Sequence, residues 1–189
     1  MTPTALSSEH GALPLVPIER PASWFVRLLY ALTRKRYGLV PTAFRVVYAR
    51  APLMGLLSLV IVFAKSMLRL DPALAFMIPI AVAMRNGCTF CVDLTLAEAV
   101  RARIGPERFR DLLAYESSPA YTEREKSALR YVEALHTSLH IPDAVWSALE
   151  PHFSERERLE IVWLCAVERY FNALAIPLRI GTDHLADGR

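Results

Sequence analysis

"NGCTFCVDLTLAEAV", residues 86–100, places two of the chain's three cysteines three positions apart, directly behind a glycine. A glycine is a common helix stop, and the residues after it have helical composition as far as Ile104, where Gly105 stops them again. The stretch therefore predicts a helix that begins at Cys88, with both cysteines in its first turn. A spacing of three puts both sulfurs on one helical face, close enough to bridge if the local geometry allows.

The same pattern extends in both directions. Upstream, residues 24–36 read as a helix stopped by Gly38 and Pro41. Two apolar runs follow, residues 51–64 and 72–84, divided by Asp71 and Pro72. Each is far short of the ~20 residues that span a bilayer, so both are expected as helices buried on most sides, with membrane insertion not favoured. Downstream, Pro106 occupies a first helical position and opens a helix over residues 107–114. "TERE" (Thr122, Glu123, Arg124, Glu125) and "SERE" (Ser154, Glu155, Arg156, Glu157) both match the capping box, in which a hydroxyl and a glutamate satisfy each other's free amides. After the first box, Ala128, Val132, Leu135 and Leu139 form one apolar stripe. After the second, Leu159, Val162, Cys165 and Ala166 begin a broader apolar face that runs to Leu174. No run shows a convincing two-residue alternation. The expectation is an all-α single domain of about eight helices.

A length of 189 residues suits one core, and 53% hydrophobic residues make it a greasy one. Residues 1–21, with Pro3, Pro14, Pro17 and Pro21, read as an extended arm. Residues 22–180 form the helical domain and residues 181–189 a tail. The net charge of +3 is small, and no basic run exceeds "RKR" at Arg34, Lys35 and Arg36, so nucleic-acid binding is not indicated. The N-terminus lacks the basic start and apolar run of a secretory signal, which points to the cytoplasm. No glycine-rich phosphate loop is present, and no cofactor is expected.

The cysteine pair leaves three chemistries open. A thiolate, not a thiol, attacks peroxides and disulfides, and a helix N-terminus favours the negative charge it carries. A zinc site would need two further ligands, from Cys165 and a scattered histidine. Two buried cysteines can also be inert core residues. Cys165 itself, mid-helix in "IVWLCAVERY", reads as such a core thiol. Haem attachment is not supported, because Val92 and not histidine follows Cys91.

"MRNGCTFCVDLTLAEA", followed by "YTEREKSALRYVEAL" and "HFSERERLEIVWLCAVERYFNALA", resembles the alkylhydroperoxidase AhpD-like / carboxymuconolactone decarboxylase family over roughly residues 40–180. The resemblance implies an all-α fold and a homo-oligomer (dimer, trimer or hexamer) assembled through apolar helices. It implies reduction of a peroxide or disulfide by a dithiol, re-reduced by an external dithiol or a redox-protein reductant. Cys91 would attack and Cys88 would resolve. A decarboxylase-type activity belongs to the other branch of the family, whose members do not rely on a CxxC.

The family relays protons through a glutamate twelve positions before the first cysteine and a histidine four after the second. Here those positions hold Phe76 and Thr95. Threonine cannot act as a base, and a phenylalanine makes the surroundings more apolar, which raises a thiol pKa. Glu160, a carboxylate on an apolar helix, is the first candidate for a replacement relay, with an arginine salt bridge as its ordinary alternative. Glu168 and Asn172 lie on the same helix. Asp93 reads as an exposed first-turn acid, and His136 and His140 as residues at a helix end. His10, His152 and His184 fall in tails or loops. If no substitute base exists, the alternative is a non-catalytic oligomeric member of the family with a vestigial or redox-sensing CxxC.

Overall fold

The helix Pro72–Asn86 is the axis around which the others pack. The structure is a computed structural model that describes residues 12–187. Seven α-helices follow in chain order: α1 (Trp24–Tyr37), α2 (Pro52–Lys65), α3 (Pro72–Asn86), α4 (Thr89–Arg101), α5 (Glu123–Thr137), α6 (Asp143–Ser147) and α7 (Glu155–Ala175). A π-helical turn at Phe44–Tyr48 and two 3₁₀ turns complete the set, and no strand occurs among the described residues. The fold is all-α, as the periodicities predict.

α3 starts cleanly because the Asp71 carboxylate accepts the amide of Ala73 at 2.8 Å and Pro72 needs no partner for a missing N–H. Its apolar residues point in nearly every direction, so α4, α5 and α7 all pack against it. Leu74, Met77 and Ile78 meet Leu129 and Val132 of α5 and Ile161 and Leu164 of α7, all essentially without solvent contact. Burying side chains of this size contributes about 2 kcal/mol each, which makes this the main source of stability.

Both capping boxes form as read. Thr122 Oγ1 accepts the Glu125 amide, and Glu125 returns to the Thr122 amide at 2.8 Å. Ser154 and Glu157 repeat the arrangement at the start of α7. The Ser154 contacts hold the Glu157 carboxyl below its ordinary pKa. Ser154→Ala is expected to cost about 1 kcal/mol in urea unfolding at pH 7. A carboxyl whose pKa is depressed by folding contributes above its unfolded pKa and loses that contribution as pH falls through the folded value. The difference between wild type and variant should therefore shrink in acid.

Three readings change in detail. Residues 106–114 are not one helix but two 3₁₀ turns, Pro106–Phe109 and Leu112–Ala114, with Phe109 and Leu112 both driven into the core. Leu139 lies beyond the end of α5 and is exposed, so the α5 stripe ends at Leu135. The two apolar runs part company: α3 is buried on most sides, whereas α2 is not. Only Gly55 and Ser58 of α2 are buried, while Leu53 is 77% and Phe63 67% exposed. Gly55 permits this seating, since a Cβ there would stand 3.2 Å from the Tyr48 Cβ. Ser58 Oγ donates to the Tyr48 hydroxyl at 2.8 Å. No helix among the described residues is long and apolar enough to cross a membrane. The expected arm lies partly outside the described residues, and His10 with it.

Candidate functional site

Gly87 turns the chain between α3 and α4. Its φ of +73° is a left-handed conformation that a side chain resists, and its amide bonds back to Met84. The turn delivers Cys88 to the N-cap of α4 and Cys91 to the end of the first turn. The two are joined in a disulfide, with a Cα–Cα separation of 5.3 Å. Both residues are buried. Their surroundings form a second, smaller core: Val46 from the π-turn, Ala83 of α3, Phe171 and Ala175 of α7, and Ile180 beyond it. Cys165 lies in the main core instead, and burial pushes its thiol up to about 12. It is the inert thiol that its flanking residues predict.

Glu160 is not brought to the cysteines. Its carboxylate accepts the amides of Arg69 and Leu70 at 2.8 and 3.0 Å and pairs with Arg156 at 2.9 Å. These contacts fix the turn that leads into α3, whereas Cys88 follows the far end of that helix. The two sites are separated by the length of α3, about 22 Å for 15 residues. The arginine salt bridge, the ordinary reading of Glu160, is what forms.

A second carboxylate of α7 is buried. Glu168 is 2% exposed. Asn172 Nδ2 donates to its Oε1 at 2.7 Å, and Asn86 Nδ2 donates to Asn172 Oδ1 at 2.7 Å. Asn86 is two residues before Cys88. At the other end of this row, Asn86 Oδ1 meets His136 Nδ1 at 3.2 Å. Lys65, at the end of α2, supplies the opposing charge, with its ammonium 6.0 Å from the centre of the Phe171 ring. Burial raises the Glu168 carboxyl pKa, and the nearby Lys65 charge works against that rise. Burial lowers the Lys65 pKa, with Glu168 and Glu98 opposing. Only the spacing of four between Glu168 and Asn172 on a mostly apolar helix signalled this group in sequence.

The second missed element is the C-terminal segment. Asp93 is buried, not exposed. Its Oδ2 accepts the Thr182 hydroxyl at 2.9 Å and the Asp183 amide at 3.0 Å, and its Oδ1 the Ala186 amide at 2.9 Å. Asp183 in turn accepts the amide and hydroxyl of Thr42, each at 2.6 Å. Residues 178–186 thus form a wall of the cysteine chamber, held by an acid two positions from Cys91.

This geometry, a buried dithiol on the first turn of a helix within an all-α core, has relatives. Residues 62–134, which include both cysteines, match the carboxymuconolactone decarboxylase family. YnjA, an uncharacterised protein of Escherichia coli (strain K12), is 26% identical over 167 residues, covering 85% of this chain and 87% of YnjA. The crystal structure of an Agrobacterium tumefaciens protein of unknown function, provisionally assigned as the antioxidant defence protein AhpD, aligns with a TM-score of 0.66. It is 25% identical and covers 73% of this chain and 97% of its own. An uncharacterised peroxidase-related protein from Silicibacter sp. TM1040 aligns with a TM-score of 0.77 and 20% identity over 98% of each chain, a likeness of fold. The carboxymuconolactone decarboxylase family resemblance and the AhpD-like helical fold expected from the CxxC stretch are both found.

Proposed function

We propose that the chain is a thiol-dependent oxidoreductase that uses Cys88 and Cys91 to reduce peroxides or disulfides. The observation that carries the reading is the disulfide itself, formed on the first turn of α4 inside the matched family segment. A helix start favours the thiolate, and a pair already at bridging distance can close without moving the backbone. The name of the A. tumefaciens relative, with its provisional antioxidant role, leans the same way. Cys91 attacks, Cys88 resolves, and an external dithiol or redox protein of the cytoplasm returns the electrons.

The test is single-turnover oxidation of the reduced chain by an organic hydroperoxide or an aromatic disulfide. Two thiols should disappear per oxidant, and mass mapping should find them linked as Cys88–Cys91. Loss of thiols no faster than from a free cysteine counts against the reading.

The burial of both cysteines and the residues Phe76 and Thr95, neither of which moves protons, favour a second reading: a non-catalytic member with a vestigial or redox-sensing pair. A sensor would close the disulfide in one slow step and change its assembly, without sustained turnover when dithiol is supplied.

The exposed face of α2 supports the homo-oligomer, with a second copy covering it. Leu53, Leu56, Val60 and Phe63 are all exposed on one helix, a row of apolar side chains that a solvated surface rarely leaves open. Val60→Lys with Phe63→Lys is expected to reduce the mass seen in light scattering to that of one chain. An unchanged mass would place the contact elsewhere.

A further inference from the structure

We infer that the outer face of α1 docks on an anionic lipid surface, with Trp24, Leu28 and Leu32 in the headgroup layer and Arg27, Arg34 and Lys35 against the negative headgroups. The inference is independent of the dithiol reading. The helix lies on the bilayer and does not cross it: its 14 residues are about 21 Å long, and its inner face belongs to the protein.

The seating of α1 leaves this face open. Val26, Leu29, Tyr30 and Thr33 are buried, and the Tyr30 hydroxyl donates to the Ile18 carbonyl at 2.7 Å. On the opposite side Trp24 is 70%, Leu28 48% and Leu32 54% exposed. At about 3.6 residues per turn these three run down one side of the helix, with Lys35 in the same strip and Arg27 and Arg34 along one edge. All three cations are exposed. The pattern is that of an interfacial helix. Apolar and aromatic side chains enter the boundary between headgroups and acyl chains, and the cations attract anionic lipid. A tryptophan suits that boundary, because its ring is apolar and its N–H is polar.

Charge decides which partner fits. Residues 20–70 hold nine of the chain's 22 Lys and Arg and none of its 19 Asp and Glu, so the rest of the chain is net acidic. Arg36 and Arg45 are taken by Glu98 and Glu19, and Arg50 by the carbonyls of Val46 and Val16. The Lys65 charge is opposed by Glu168. No ion pair among the described residues uses Arg27, Arg34 or Lys35.

A second copy of the chain does not complement this face. A two-fold contact sets one patch against itself, so α1 would meet Arg27, Arg34 and Lys35 again. The case of α2 differs, since Lys65 is the only charged residue among its 14 and a copy can cover it without repulsion. A nucleic-acid backbone would take the cations but would leave Leu28 and Leu32 in water. A bilayer with anionic headgroups answers both halves of the strip, with charge at its surface and apolar chains beneath.

The experiment sediments the full chain with sucrose-loaded vesicles, of phosphatidylcholine alone or with an equal part of phosphatidylglycerol, in about 0.1 M and about 1 M salt. The chain is expected to sediment with the anionic vesicles only. High salt should largely release it, because screening shortens the reach of a charge from about 10 to 3 Å. The triple variant Arg27→Gln, Arg34→Gln, Lys35→Gln, checked for folding by circular dichroism, is expected to lose about 100-fold in partition coefficient, since each cation near such a surface is worth a factor of about five. It should keep the wild-type mass in light scattering. Tryptophan emission should shift to the blue on anionic vesicles, and the shift should disappear in Trp24→Phe, which still sediments. Sedimentation of wild type with neither vesicle, or with both equally, overturns the inference. So does a triple variant that binds as wild type, or a blue shift that survives Trp24→Phe, either of which places the contact on another face. A triple variant of lower mass assigns α1 to a contact between copies and overturns it too.

Discussion

Cys91→Ser is expected to abolish reaction with hydroperoxide, and Cys88→Ser is not. Serine is nearly isosteric with cysteine but is not ionised near neutral pH, so the attacking sulfur cannot be replaced without losing the step. With Cys91 gone, the remaining Cys88 is an ordinary thiol at a helix cap. The expected rate falls by at least ~1000-fold, a size typical of removing a nucleophile that works as a unit with its neighbours. With Cys88 gone, the first step survives and the second has no partner. The Cys91 sulfenic acid then accumulates, visible as one added oxygen by mass or by trapping with dimedone. One turnover is completed and the next is not. If the two variants behave the other way round, Cys88 at the N-cap is the attacking thiol and the roles are exchanged.

Asp93→Ala is expected to release the C-terminal wall of the chamber. The Thr182 hydroxyl and the amides of Asp183 and Ala186 all lose their acceptor at once. Hydrogen bonds to a charged group contribute about 1.5–3 kcal/mol each, but a freed surface segment recovers part of that by turning to water. A net loss on the order of 3 kcal/mol follows for the docking of the segment. The measurement is hydrogen exchange at residues 182–186, which should lose protection while α3 and α5 keep theirs. Reduction of the disulfide by a water-soluble phosphine should also accelerate, because Ile180 and Leu178 share the small core with the pair. Unchanged exchange at these amides would show that the contacts of Asp183 with Thr42 hold the segment without Asp93.

Much of this architecture is legible in the chain. Capping boxes declare themselves because the hydroxyl and the glutamate are three residues apart, and both form. The CxxC declares its own helix, because Gly87 stops one helix and the next begins at once. What escapes sequence reasoning depends on contacts between distant residues. Glu160 and Glu168 are two glutamates on one apolar helix, and nothing local separates them. The difference is tertiary: Glu160 meets the amides of Arg69 and Leu70 ahead of α3, whereas Glu168 meets Asn172, which itself meets Asn86 at the end of α3. Asp93 looks like a solvated first-turn acid because its partners, residues 182–186, lie about ninety positions away. The exposure of α2 is missed for a related reason: apolar composition shows that a surface wants covering, and not whether its own chain covers it.

The stitching of Asp183 to Thr42 spans 141 positions, and that of Asp93 to Thr182 spans 89. Contacts so far apart form late, because a long loop must close before they bring any gain. On the ribosome the order is stricter still, since residues 178–186 emerge after the seven helices described above. The nascent chain therefore passes through an interval in which α4 is folded and its two thiols face the solvent. Until that segment docks, the pair lacks Leu178 and Ile180, two of the side chains that share its core.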